Sequence, residues 1–329
     1  MKAVALTERP SELEIVDVAE PVPAADEVVI DVTASGICGS DLTLAKGIAP
    51  AGTIMGHEVA GTVRTPDAEG RWSVGQRVAV RPFFGCGSCG ECGRGRQDHC
   101  EDFGLAGVRR PGGYAEQMVA SADELFELPA AVTPAEGALV EPLAIVRHAF
   151  RRVDLDESDR VAITGAGPIG IAAVIWARAL GIEHIVVSEP DPSRQALAAR
   201  FGATSVVAPD DLASAVAGAA PQVVLECSGR PGVVDSAMQV AAVDGRVGVV
   251  GLCIAQDHYL PIVPMQKEID LRFCMYYEQQ DFIDTLDALD DQRMDVDGFV
   301  TQTISLDELP ARFAELAASP DGGKVIIAP

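Results

Sequence analysis

Cys86, Cys89, Cys92 and Cys100 stand in CGSCGECGRGRQDHC, a stretch of glycine and charge with almost no apolar residue. Such a stretch suits neither a core strand nor an amphipathic helix. Tetrahedral zinc accepts four thiolates at about 2.3 Å, and short glycine-rich spacers let successive sulfurs turn onto one ion. An iron–sulfur cluster uses similar cysteine spacing, and four exposed bystander thiols would be an oxidation liability. The C-x2-C-x2-C-x7-C pattern is read as a structural zinc lobe, because four filled positions leave no place for a substrate.

A second constellation lies outside that loop. GICGSD holds Cys38, Ser40 and Asp41, MGHEVAG holds His57 beside Glu58, and VEPLA holds Glu141. One thiolate, one imidazole and one or two carboxylates match a catalytic zinc, which keeps three protein ligands and one exchangeable position. Each residue also has a plainer use. Cys38 suits a small buried position, Asp41 a helix cap, His57 and Glu58 a strand edge, and Glu141, just before Pro142, a helix start. Their occurrence together, beside a four-thiol loop, favours the metal.

The third signal is RVAITGAGPIG. A short apolar strand, 161–164, runs into Gly165, Gly167, Pro168, Ile169 and Gly170, then into a helix-forming run. HIVVSEP follows as a second strand closing on Glu189, nineteen residues past Gly170. Strand, G-x-G-x-x-G, helix and a distant acid form the dinucleotide-binding context. Glu189 is expected to accept from the adenosine ribose and to repel a 2'-phosphate, so NAD is expected rather than NADP. Arg194, five residues on, is expected near the adenosine.

The elements that position these groups follow from pattern. At 329 residues, with 48% hydrophobic residues, the chain suits two domains with real cores. ADEVVIDVTASGI, HEVAGTV and GQRVAV read as short strands between turns, which suits a small β-barrel-like domain. From about residue 153 strands and helices alternate, which suits a parallel sheet with helices on both faces. FIDTLDALDD and LPARFAELAAS read as helices and KVIIAP as a last strand. A net charge of −24 argues against nucleic acid or an anionic membrane surface as partner. No run reaches membrane-spanning length, and MKAVALTERP lacks the apolar stretch of a signal peptide. A cytoplasmic location is expected, where the eight cysteines stay reduced. Cys227, Cys253 and Cys274 are expected to pack in apolar surroundings.

Taken together, GICGSD, GHEVAG, the cysteine lobe, GGYAE, VEPLA, GAGPIG, ECSG and GGKVII resemble the zinc-dependent medium-chain alcohol and polyol dehydrogenases, in particular the sorbitol and threonine dehydrogenase branch. The resemblance spans nearly the whole chain. It implies an α/β fold: a GroES-like β-barrel catalytic domain at 1–152 carrying the zinc lobe at about 85–101, a Rossmann domain with a doubly wound parallel sheet at 153–278, and a C-terminal return at 279–329. It implies two zinc ions per chain, NAD, and hydride transfer between a small-molecule secondary alcohol and its ketone. Cys38 and His57 are then firm ligands, and Glu58 and Glu141 belong to the shifting part of the shell. Because a second carboxylate would leave the site net negative and weaken the Lewis acid, Glu58 is expected on the metal at rest and Glu141 to approach it transiently or through water. Asp41 orients His57, and Ser40 takes the substrate proton.

The chain departs from the family at two places. Thr43 stands where many relatives carry the histidine that passes the proton to solvent. Gly39 stands where some carry an arginine toward the pyrophosphate, which leaves Lys324 as the candidate to help hold the phosphates. The interval from Cys38 to His57 is short for the family, which suggests a wide entrance and a polyol, cyclitol or sugar derivative. Phe83 and Phe84 suggest an apolar wall and a less polar cyclic alcohol. A zinc-free quinone or enoyl reductase of the same fold would not need Cys38, His57 and Glu58 together. A non-enzymatic zinc and nucleotide sensor would be separated by cofactor turnover. DLRFCMYYE reads as an edge strand of the nucleotide sheet, and such edges are paired or covered. A homodimer at least, and by resemblance a tetramer, is expected.

Overall fold

The long run EVVIDVTASG forms the strand Glu27–Gly36, buried along most of its length. Its side chains pack into two core clusters, Val28, Ile30 and Val32 in one and Ala34 in another, while its edges are paired inside a seven-stranded sheet. The sheet order is Val300–Ile304, Lys324–Ile327, Glu27–Gly36, Glu58–Thr65, Arg77–Val80 and Leu125–Glu127, with Gln117–Ser121 also pairing Glu27–Gly36. The computed structural model describes residues 1–319 and 322–329. The two C-terminal strands thus return to the N-terminal sheet. Their turn back follows the helices Gln279–Asp290 and Leu309–Ala318, both legible in the sequence.

A second sheet is six-stranded and wholly parallel. Its order is Ser205–Val207, His184–Ser188, Arg160–Thr164, Val223–Glu226, Arg246–Val249 and Asp270–Phe273. The chain leaves Arg160–Thr164 in one direction, then returns to its other side at Val223–Glu226. The crevice between the loops that follow these two strands is the switch point where open α/β sheets bind ligands.

The helix Pro134–Arg152 joins the two sheets. Thr133 and Glu136 cap its start reciprocally: the Glu136 N–H donates to the Thr133 hydroxyl at 3.2 Å, and the Thr133 N–H donates to the Glu136 carboxylate at 2.7 Å. Pro134 occupies its first turn, where a missing N–H costs nothing. Glu141 and Pro142 therefore lie inside a helix and not at its start. Leu139, Leu143 and Val146 of this helix share one continuous core with Ala60 and Ala79 of the first sheet and with Val161, Ile163 and Leu225 of the second.

The helix is locked from behind by a buried ion cluster. Asp281 is fully buried and accepts from His148 Nδ1 at 2.9 Å, from Arg151 Nε and Nη2 at 2.9 Å each, and from the Glu278 N–H at 2.9 Å. Burial works to raise the Asp281 carboxyl. The bonds from His148, Arg151 and the Glu278 N–H overcome it and hold the group well below the usual carboxylate range. His148 thus ties the helix Pro134–Arg152 to the helix Gln279–Asp290.

Because the folded carboxyl lies below its unfolded value, its stabilisation is full above about pH 4 and is lost as pH falls further. Asp281→Asn should destabilise the protein by about 3 kcal/mol at pH 7, the low end for breaking a buried pair because Arg151 is partly exposed. Denaturant unfolding should show the gap to the native protein narrowing as the pH is lowered through 3. A gap independent of pH would contradict the ionic origin.

Candidate functional site

The register of the first sheet brings its metal-seeking residues together. Gly36 lies opposite Glu58 in the antiparallel pair of strands. Cys38 follows the end of one strand and His57 precedes the start of the other, so both emerge at the same end of the sheet. The absence of a side chain at Gly36 is required there: a Cβ would lie 2.0 Å from Glu58 Oε2.

Cys38 caps the helix Gly39–Leu44, and Asp41 reaches back to accept from the Cys38 N–H at 3.1 Å. Asp41 Oδ1 stands 3.4 Å from His57 Nδ1. The Ser40 hydroxyl donates to Cys38 Sγ at 3.2 Å and lies 3.5 Å from His57 Nε2. Single ligand atoms of Cys38, His57 and Glu58 all lie within 4.8 Å of one another. A thiolate, an imidazole and a carboxylate at that spacing fit a zinc ion with a fourth position left for substrate.

Glu141 stands outside this set. Its carboxyl is buried beside Tyr277, and burial first, then the Glu58 charge, raises it to about 7 against the pull of His57, Lys324 and Tyr277. The Thr43 hydroxyl donates to the Gly39 carbonyl at 3.2 Å, so it is engaged within its own helix.

Lys324 requires a correction. The sequence suggested an ammonium reaching the cofactor phosphates. In the fold the side chain is 1% exposed, donates to the Ile37 carbonyl at 2.9 Å and pairs with Glu58 Oε1 at 2.5 Å. The cause is sheet order, since the strand Lys324–Ile327 lies next to Glu27–Gly36 and directs this residue at the Glu58 carboxylate. Phe83 and Phe84 also differ from expectation. Phe83 is fully buried among Phe103, Tyr276 and Tyr277, with ring centroids 5.5, 5.5 and 5.0 Å away, and Phe84 lies under Arg110.

The four clustered cysteines also converge, with one sulfur of each within 4.8 Å of the others. Phe83–Phe84 pairs with Gly104–Leu105 and closes the neck of the loop. Backbone N–H groups point at the sulfurs: Cys86 N to Cys100 Sγ at 3.2 Å, Cys89 N to Cys86 Sγ at 3.3 Å, and Asp102 N to Cys100 Sγ at 3.3 Å. Hydrogen bonds from the Ser88 N–H and hydroxyl, then from the Cys89 N–H, lower the Cys86 thiol to about 6. Such donors suit thiolates around a metal, and four sulfurs close the coordination shell.

At the switch point Gly165 has φ +92, and a Cβ there would meet Ser228 at 3.0 Å. A Cβ on Gly170 would lie 1.9 Å from the Gly165 carbonyl oxygen, so this glycine lets the helix Pro168–Ala179 pack on the turn. Gly167 caps that helix, whose first N–H groups have no side-chain cap. An uncapped helix start beside a glycine turn is a site for a phosphate group. Glu189 closes the crevice. It is 2% exposed and accepts from the Ala166 N–H at 2.6 Å and the Asp191 N–H at 3.0 Å, with Arg194 Nη1 at 3.9 Å.

Two functional neighbours escaped sequence reading. Tyr114 sits within GGYAE, and its hydroxyl donates to Asp41 at 2.7 Å in the interior. Tyr277 lies against Glu141. Neither motif nor spacing names their partners, because each acts across more than seventy residues of chain.

The comparisons with known proteins agree with this geometry. Residues 24–130 match the alcohol dehydrogenase GroES-like domain family, and residues 168–291 match the zinc-binding dehydrogenase family. The 2-dehydro-3-deoxy-L-galactonate 5-dehydrogenase of Pseudoalteromonas atlantica is 33% identical, over 93% of this chain and 92% of its own. The sorbitol dehydrogenase of Bacillus subtilis is 33% identical, over 76% of this chain and 72% of its own. A zinc-binding dehydrogenase fold from Sinorhizobium meliloti, solved bound to NADP, superposes with TM-score 0.92 at 29% identity, covering 100% of this chain and 99% of that one. With its GroES-like and Rossmann-type sheets and its thiolate, imidazole and carboxylate donors, the chain belongs to the zinc-dependent medium-chain alcohol dehydrogenases, oxidoreductases that interconvert an alcohol and its carbonyl compound with a nicotinamide cofactor.

Proposed function

We propose that the protein oxidises a secondary alcohol on a polyol or sugar-derived substrate to the ketone, with NAD as acceptor and two zinc ions per chain. The observation that carries this reading is the cluster of Cys38, His57 and Glu58, with the Ser40 hydroxyl beside it. The relatives named for a sugar acid and for sorbitol support the substrate class. A bound zinc supplies a Lewis acid to the alcohol oxygen, and the nicotinamide supplies the hydride acceptor.

The chain's own groups have distinct tasks. Cys38, His57 and Glu58 hold the metal, and Cys86, Cys89, Cys92 and Cys100 hold the structural ion. Ser40, which is half-buried, would accept the alcohol proton while releasing its own to solvent water, since a hydroxyl can accept one hydrogen as it donates another. Asp41 fixes the His57 ring so that Nε2 faces the metal. Lys324 offsets the charge of Glu58, so the cluster does not accumulate the negative charge that would raise the pKa of a bound alcohol. Glu141 stays off the resting metal.

Cys38→Ser or His57→Ala should lower bound zinc from about two to about one per chain, while Glu141→Gln keeps both and loses rate by about 10–100-fold. Metal analysis beside turnover decides this. Loss of a zinc from Glu141→Gln but not from Glu58→Gln would reverse their roles. A screen of polyols, sugar acids and cyclic alcohols, read by absorbance of the reduced cofactor, tests the substrate class. Binding of NADH without turnover of any of them would defeat the enzymatic assignment.

Cofactor choice rests on Glu189, buried at the end of the second strand and facing the glycine turn. A 2'-phosphate beside that carboxylate is repelled, although the Sinorhizobium relative carries NADP. Removing one charged partner of a ribose hydroxyl costs about 1.5–3 kcal/mol, so Glu189→Gln should reduce the preference for NAD by about 10–100-fold in kcat/KM ratios. Faster turnover of NADP by the native protein would sink the assignment.

A homodimer at least is proposed, supported by the open edge strand Asp270–Phe273. Phe273 at the end of that strand and Met275 just after it are 67% and 54% exposed, and Met265 in the helix Ile262–Lys267 before it is 71% exposed. Apolar groups along an unpaired edge favour pairing with a second copy. Light scattering should give at least twice the chain mass of 34.4 kDa. A monomer at working concentration would refute the dimer.

A further inference from the structure

We infer that Tyr114 is a positioning residue for the Cys38–His57 metal centre, acting through Asp41. This inference rests on the zinc reading of that centre given above. Asp41 is fully buried and gathers two hydrogen-bond donors, with His57 as a third neighbour from another segment. Its Oδ2 accepts from the Cys38 N–H at 3.1 Å and from the Tyr114 hydroxyl at 2.7 Å. Its Oδ1 faces His57 Nδ1 at 3.4 Å. A carboxylate with donors on one oxygen has its plane fixed, and that plane aims the other oxygen at the histidine ring.

The backbone of Tyr114 completes a bracket. Its N–H donates to the Met55 carbonyl at 2.9 Å, and the Gly113 N–H donates to the Gly56 carbonyl at 2.9 Å. Residue 114 is therefore tied by main chain to the segment that ends in His57. Its hydroxyl is tied to the carboxylate that caps the Cys38 helix. The tyrosine thus spans the two segments that supply the thiolate and the imidazole.

Space for this bracket is built into the sequence. Gly56 has φ +95, and a Cβ there would lie 2.6 Å from the Tyr114 ring. A Cβ on Gly113 would lie 2.5 Å from Val59 and 2.7 Å from the Ser35 hydroxyl. The ring is fully buried, so its hydroxyl has no solvent to exchange Asp41 for. A phenylalanine would fill the same volume, which makes the hydroxyl separable from the packing.

The test compares native protein, Tyr114→Phe, Asp41→Asn and the double variant, each purified with zinc and challenged with a chelator that reports released metal by colour. Outer-shell changes lower metal affinity by about 10–100-fold, so Tyr114→Phe should release one zinc per chain about 10-fold faster. The four-cysteine zinc should leave at the native rate and serves as the internal measure of intact fold. The double variant should release no faster than Asp41→Asn, because the tyrosine acts only through that carboxylate. Turnover should fall in kcat, with KM for NAD unchanged.

Native-like release from Tyr114→Phe, or additive effects in the double variant, would overturn the inference while leaving the zinc centre standing. If the native protein held only the four-cysteine zinc, the metal reading of Cys38 and His57 would fail and the inference with it.

Discussion

The antiparallel register that sets Gly36 against Glu58 is the constraint on which the rest depends. Side chains alternate along a strand, so a slip of one residue would turn Glu58 to the opposite face of the sheet. It would also separate the turn carrying Cys38 from the segment carrying His57. The register is held on both sides, by Arg77–Val80 against Glu58–Thr65 and by Lys324–Ile327 against the end of Glu27–Gly36. The metal-seeking cluster is therefore a property of the end of two central strands whose neighbours arrive from residues almost three hundred positions apart.

Charge balance is built around that cluster. Glu58 and Glu141 are both buried, and two carboxylates in one apolar interior disfavour each other's ionised form. Lys324 donates to Glu58 and places its ammonium against that carboxylate. Glu141 then carries a raised pKa, mainly from burial. Its place is fixed by a long helix whose far end is held to Asp281 through His148 and Arg151. The lock lies two turns from Glu141, so the position of an acid facing the site depends on ion pairing at the back of the helix.

The two groups of donors differ as their chemistry requires. The cysteine lobe supplies four like atoms from one short segment, and its backbone N–H groups point at the sulfurs. The other group draws its donors from separate strands and leaves a coordination position unfilled. A local loop can close on an ion by itself. A site that binds substrate needs rigid walls, which only the tertiary fold supplies.

The sequence by itself determined whatever is carried by local spacing. The four cysteines lie within fifteen residues, G-x-G-x-x-G follows its strand directly, and Cys38 and His57 stand in short distinctive motifs. The strand and helix periods also divided the chain into a barrel-like half and an alternating half. The tertiary structure alone decided the partners of Lys324, Glu141 and Tyr114. Lys324 reads as a free cation near the C-terminus, yet strand order buries it on Glu58. Glu141 before Pro142 reads as a helix start, yet it lies within Pro134–Arg152 because the Thr133 cap begins the helix eight residues earlier. Tyr114 stands in the short motif GGYAE, yet its bond to Asp41 crosses seventy-three positions. Propensity and spacing act over a few residues, whereas these contacts are set by how strands order themselves in a sheet, and no short window of sequence contains that order.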